Sequence, residues 1–78
     1  MDTVILYTTH GCTYCQRVKE FLSERDVGYS EHNIEEDPDA RREMMEISRH
    51  NIVPTVVVGE EVVVGFDPRR LDRLLNLN

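Results

Sequence analysis

Six of the chain's ten valines fall within ten residues, Thr55-Val56-Val57-Val58-Gly59-Glu60-Glu61-Val62-Val63-Val64. β-branched side chains favour extended backbone, and two such runs separated by two residues form a hairpin. Glycine at the first loop position suits a type II′ turn. The spacing therefore predicts antiparallel strands over 55–58 and 61–64. A strand as uniformly apolar as Thr55–Val58 belongs inside a sheet, with cover on both faces. The other strands and the covering helices must come from the rest of a 78-residue chain, which is enough for one domain, 1–78.

The remaining elements follow from periodicity and punctuation. Thr3–Tyr7 reads as a buried strand and Thr8-Thr9-His10-Gly11 as a polar turn. From Cys12 to about Arg25 the pattern is helical, with Cys15, Val18, Phe21 and Leu22 on one face. Asp26-Val27-Gly28 ends that helix, and Tyr29–Ile34 is a polar strand suited to an edge. Two Asp-Pro pairs mark helix starts: each aspartate caps, and each proline takes the first helical position, where it sacrifices no hydrogen bond. The first, Asp37-Pro38, opens a helix to about Ser48 that buries Ala40, Met44 and Ile47; the second, Asp67-Pro68, opens one with a stripe of Leu71, Leu74 and Leu75. The order is β-α-β-α-β-β-α. A right-handed parallel crossover followed by the hairpin gives an α/β fold, a four-stranded mixed sheet with helices on both faces.

Cys12-Thr13-Tyr14-Cys15 holds both cysteines of the chain at the start of the first helix. Two cysteines at this spacing can close and reopen a disulfide. Unpaired N–H groups and the positive end of the helix dipole favour a thiolate at the first position. Cys12 is therefore the expected nucleophile. Cys15, one turn further in, is the expected resolving thiol. A zinc site would need two more ligands, and His10, His32 and His50 lack the close partner spacing of such sites; no metal is expected.

Formal net charge is −6, which opposes binding to nucleic acid or an anionic membrane surface. One cysteine pair is too few for a secreted disulfide scaffold. The acidic start, Met1-Asp2, and the short apolar run after it carry no secretory or membrane signal, so a cytoplasmic location is expected.

Three segments together resemble the glutaredoxin branch of the thioredoxin superfamily. Tyr7-Thr8-Thr9-His10-Gly11-Cys12-Thr13-Tyr14-Cys15 resembles its strand–CPYC–helix opening, Ile52-Val53-Pro54-Thr55 its TVP segment, and Val64-Gly65-Phe66-Asp67 the turn before its last helix. The compact length and Gly-Phe-Asp are most similar to small bacterial glutaredoxin-like redoxins. The resemblance implies a thioredoxin-like fold and dithiol–disulfide oxidoreductase activity on protein or glutathione mixed disulfides. It implies no tightly bound cofactor, glutathione as reductant and disulfide-containing protein clients; a monomer is the default expectation.

It also implies a substrate-binding set. Pro54 would follow a cis bond, although Val-Pro bonds are intrinsically more often trans. Val53 would then offer its backbone to an extended substrate. Tyr14 would contact a bound thiol, and Gly65 and Asp67 would hold the γ-glutamyl end of glutathione, although a plain helix cap also accounts for Asp67. Thr13 stands where proline is common, Thr9 where the family often has lysine, and Pro68 in place of a second aspartate. Arg49 and His50 are candidates for the glycine carboxylate, or else solvated. Arg41, Arg42 and Arg73 read as solvated helix faces, and Glu35, Glu36, Asp37 and Asp39 as acids favoured at a helix start. Two alternatives follow from the same resemblance. One is a redoxin reduced by thioredoxin reductase, of the type that serves ribonucleotide reductase. The other is a dimer holding an iron–sulfur cluster.

Overall fold

A computed structural model describes residues 3–75. The elements are β1 (Val4–Thr8), α1 (Thr13–Glu24), β2 (Ser30–Asn33), α2 (Pro38–Ser48), β3 (Thr55–Val58), β4 (Glu61–Val64) and α3 (Pro68–Leu75). The sheet order is β2-β1-β3-β4. β1 runs parallel to β2 and antiparallel to β3, and β3 pairs antiparallel with β4. The polar strand β2 lies at an edge and the valine strand β3 inside, as their compositions predict.

Period-two alternation sends successive strand residues to opposite faces. Val4, Leu6, Val56, Val58 and Val63 pack with Val18, Phe21 and Leu22 of α1 and Leu71 of α3. Tyr7 and Val57, with Ile5 and Val62 beside them, pack with Ala40 and Met44 of α2. Helices thus cover both faces. Complete burial of one of these aliphatic side chains is worth roughly 1.5–3 kcal/mol.

Local chemistry sets the element ends. Gly59 has φ 61° while Glu60 keeps a negative φ, the pattern of a type II′ turn. Asp26, rather than Gly28, takes the left-handed conformation after α1, with φ 57°. Its N–H reaches the Ser23 carbonyl at 3.1 Å, and the Val27 N–H reaches the Leu22 carbonyl at 2.9 Å. That is a Schellman termination, and Val27 completes it by packing on the Leu22 cluster.

One expected core residue lies outside. Ile47 is 45% exposed, and Ser48 is buried in its place. Ala40, Met44 and Ser48 recur every four residues, so α2 meets the sheet along that row and residue 47 is turned outward. Ser48 is accommodated because its hydroxyl donates to the Met44 carbonyl at 2.7 Å and accepts the His50 N–H at 3.1 Å. Arg49 then turns the chain with φ 64°.

Candidate active site

Three loops meet at one end of the sheet. The first leaves β1 through Thr9-His10-Gly11, and Gly11 has φ 68°, a conformation glycine adopts without steric cost. The turn delivers Cys12 to the N-cap of α1, with extended backbone (φ −91°, ψ 109°). Cys12 and Cys15 form a disulfide, their Cα atoms 5.2 Å apart. The Cys12 Sγ accepts the Cys15 N–H at 3.1 Å. The Gln16 N–H bonds the Cys12 carbonyl at 3.2 Å. Cys15 is 1% exposed, whereas Cys12 is only partly covered. Cys12 is therefore the more accessible of the two cysteines and Cys15 is enclosed.

The second loop precedes β3. The Val53–Pro54 peptide bond is cis, as the resemblance implies. Pro54 is fully buried and Val53 partly so. Among the described residues neither backbone group of Val53 has a backbone partner outside the regular elements. The third loop, after β4, joins the second directly: the Gly65 N–H donates to the Pro54 carbonyl at 2.7 Å. Gly65 has φ 84°, and nothing lies within 4 Å of the place a Cβ would occupy. Asp67 caps α3, its carboxylate accepting the Arg70 N–H at 3.2 Å. Tyr14 is 59% exposed, with the Arg17 guanidinium 5.6 Å from its ring centroid.

A cavity of about 540 Å³ opens beside the second loop, lined by Thr9, Ile34, Glu35, Pro38, Arg41, Asn51 and Val53. Of the sequence candidates, Val53 alone lines it. Tyr14, Gly65 and Asp67 lie outside its wall. Neither Arg49 nor His50 supplies its positive charge; Arg41 does, exposed on α2 as the sequence pattern expects and also at the cavity wall. Arg41 follows Pro38 by three residues, so the two share a helix face. Pro38 marks the face that meets the loops, the one signal that could have singled Arg41 out. Among the described residues no carboxylate pairs with the Arg41 guanidinium.

Glu35 and Glu36 also do more than favour a helix start. Glu35 accepts the His10 backbone N–H at 2.7 Å, and the Glu36 carboxylate lies 2.9 Å from His10 Nε2. The loop before Cys12 is therefore tied to the turn before α2. Behind it, Glu31 accepts the Thr8 hydroxyl at 2.9 Å and pairs with the Lys19 ammonium at 2.8 Å. The Lys19 hydrogen bond holds the Glu31 carboxyl below its ordinary range, against partial burial and with help from Thr8. On the other face, burial and then the neighbouring Glu43 carboxylate push the Tyr7 phenol up. Among the described residues, no group of three or more His, Cys, Asp or Glu side chains is placed to hold a metal ion. No helix there is long and apolar enough to cross a membrane.

Comparison with known proteins gives the same picture. The glutaredoxin family profile matches residues 4–63. A glutaredoxin of Neisseria meningitidis is 37% identical over 67 residues, covering 85% of this chain and 79% of that protein. The crystal structure of the thioredoxin-like protein BC3987 superposes with a TM-score of 0.88 at 36% identity, covering 92% of this chain and 99% of that one. The NrdH-redoxin of Escherichia coli, a glutaredoxin-like protein described as having a thioredoxin-like activity profile, gives 0.82 at 25% identity, covering 92% and 93%.

Proposed function

The chain belongs to the glutaredoxin family, and from that premise we propose that it reduces protein and glutathione mixed disulfides, with glutathione as its electron donor. The observation that carries this reading is the partly exposed Cys12 at a helix N-cap, with the buried Cys15 one turn behind it.

In the reduced protein the Cys12 thiolate attacks one sulfur of a substrate disulfide. A Cys12–substrate bond forms, the substrate S–S bond breaks, and the second substrate sulfur leaves as a thiolate that takes up a proton. Cys15 loses its proton and attacks the Cys12 Sγ. The remaining substrate thiol is released, and the Cys12–Cys15 disulfide carries away the two electrons' worth of oxidation. The helix N-terminus stabilises the Cys12 sulfur both as attacking and as leaving thiolate.

Two glutathione molecules restore the dithiol. The first opens the disulfide at Cys12 and frees the Cys15 thiol. The second attacks the glutathione sulfur of the mixed disulfide and releases oxidised glutathione. In this reading the Val53 backbone pairs with the tripeptide, and Arg41 receives its glycine carboxylate across the cavity. Gly65, Asp67 and the start of α3 receive the γ-glutamyl end, and Tyr14 covers the thiol. The chain acts as a monomer in the cytoplasm.

A second reading keeps the chemistry and takes electrons from thioredoxin reductase. Thr9 and Pro68, which stand in place of the usual lysine and second aspartate, favour it, as does likeness to a redoxin with a thioredoxin-like profile. NADPH oxidation decides between the two. The glutathione reading expects turnover of a small mixed disulfide with glutathione and glutathione reductase. Turnover with thioredoxin reductase alone would replace it by the second.

A further inference from the structure

The cavity beside Val53 has two opposite charges in its wall that are not in direct contact. Arg41 and Glu35 both line it, yet they form no ion pair. Glu35 is held in the wall from outside: its Oε1 accepts the His10 N–H at 2.7 Å, and its own N–H bonds Asn33 Oδ1 at 2.8 Å. Among the described residues no cationic side chain pairs with Glu35, and the acids near it have partners of their own. Glu36 is engaged by His10, Asp37 caps α2, and Asp39 lies 3.6 Å from Arg42.

We infer that Glu35 is a specificity-determining residue that opposes an anionic ligand in the cavity and so tempers the attraction of Arg41 for a thiol substrate's carboxylate. The inference rests on the glutathione reading only for the identity of the probe. A fixed negative charge in the same wall as the cation lowers the potential felt by an incoming carboxylate, and the arrangement accommodates uncharged extended backbone better. Relative to a neutral residue at position 35, Glu35 shifts the balance toward a polypeptide client, whose neighbouring peptide unit is neutral, and away from glutathione, whose glycine ends in a carboxylate.

The test compares glutathione with its C-terminal amide, a thiol of the same shape without that carboxylate. The oxidised protein is mixed with excess thiol, quenched with acid, and its free thiols are counted by alkylation and mass spectrometry. The readout is the ratio of the two rate constants, glutathione over amide. Glu35→Gln keeps an oxygen for the His10 N–H and removes the charge. It raises the ratio about threefold, the size of a partly screened charge pair, and the gain shrinks in high salt. Arg41→Gln lowers the ratio by a similar factor. An unchanged ratio in Glu35→Gln, including one in which both rates fall together, overturns the inference and reduces Glu35 to a loop tether. The assay needs no reductase, so it reads out even if thioredoxin reductase proves to be the donor in the coupled assay.

Discussion

The Cys15 backbone N–H donates to the Cys12 Sγ at 3.1 Å, so the Cys12 sulfur is the N-cap acceptor of its own helix. Serine, threonine, aspartate and asparagine usually do this work, satisfying one of the four free N–H groups of a helix start. Here a polarisable sulfur does it. Under the proposed mechanism the same donor would face negative charge on the reduced Cys12 sulfur, so that local folding and thiol activation would share one bond.

That bond shapes the effect of removing each sulfur. Cys12→Ser keeps a good capping atom, so the protein should fold with stability within about 1 kcal/mol of the reduced wild type. Its disulfide reductase activity should fall to background. Cys15→Ser should accumulate a mixed disulfide at Cys12, seen by mass spectrometry after mixing with a disulfide substrate. Dithiol turnover surviving in Cys12→Ser would refute the assignment of nucleophile.

Gly65 connects two site loops through its N–H bond to the Pro54 carbonyl. At φ 84° an L side chain is strained even though space is open around the missing Cβ. Gly65→Ala should cost roughly 1–2 kcal/mol, measured as a lower urea midpoint with an unchanged slope. A stability equal to wild type would show that the loop adopts another conformation without penalty.

Asp67 is a cap in the structure and a ligand in the proposal, and two substitutions separate the roles. Asp67→Ala removes the acceptor of the Arg70 N–H and should destabilise by about 1 kcal/mol. Asp67→Asn retains an acceptor and should preserve stability. If the carboxylate holds the γ-glutamyl ammonium, Asp67→Asn should still raise KM for glutathione several-fold. A KM left at the wild-type value would leave Asp67 a cap alone.

The Lys19–Glu31 pair supplies a pH signature. The folded protein holds the Glu31 carboxyl below its ordinary range. Its contribution is therefore present above the unfolded carboxylate range and disappears as pH falls through the lower folded value. Both side chains are partly solvated, which limits the pair to about 0.5 kcal/mol. Lys19→Met should lower stability by that amount at pH 7 and by less at pH 3, in denaturant titrations at both pH values. An equal loss at the two pH values would assign the effect to packing of the lysine stem.

Much of the molecule was legible in sequence because its signals are short-range. The six valines around Gly59-Glu60 specify the hairpin through backbone preference and one glycine at positive φ. Asp37-Pro38 and Asp67-Pro68 place two helix starts through bonds spanning three residues. The Cys12–Cys15 spacing places both sulfurs at the first turn of α1, and the deeper burial of Cys15 follows from that helix's apolar face. Even the Asp26 termination stays within this range, although the choice of Asp26 over Gly28 as the left-handed residue went against the intrinsic preference for glycine.

The sequence by itself determined the order of elements, the two sulfurs and the helix start that carries them, since each depends on residues within one or two turns. Tertiary structure alone decided which charges face the cavity. Arg41 lines it while Arg49 and His50 do not, Ile47 gives way to Ser48, and Glu35 reaches a backbone N–H 25 positions away. The first two turn on how α2 is rotated about its own axis against the sheet, and the third on the path of the loop before it. Periodicity gives a helix its apolar face to within a residue or so, and a rotation of one residue carries a side chain about 100° around the axis. That rotation is settled by packing against Tyr7, Ile34 and Val57, contacts between distant parts of the chain that no local pattern encodes.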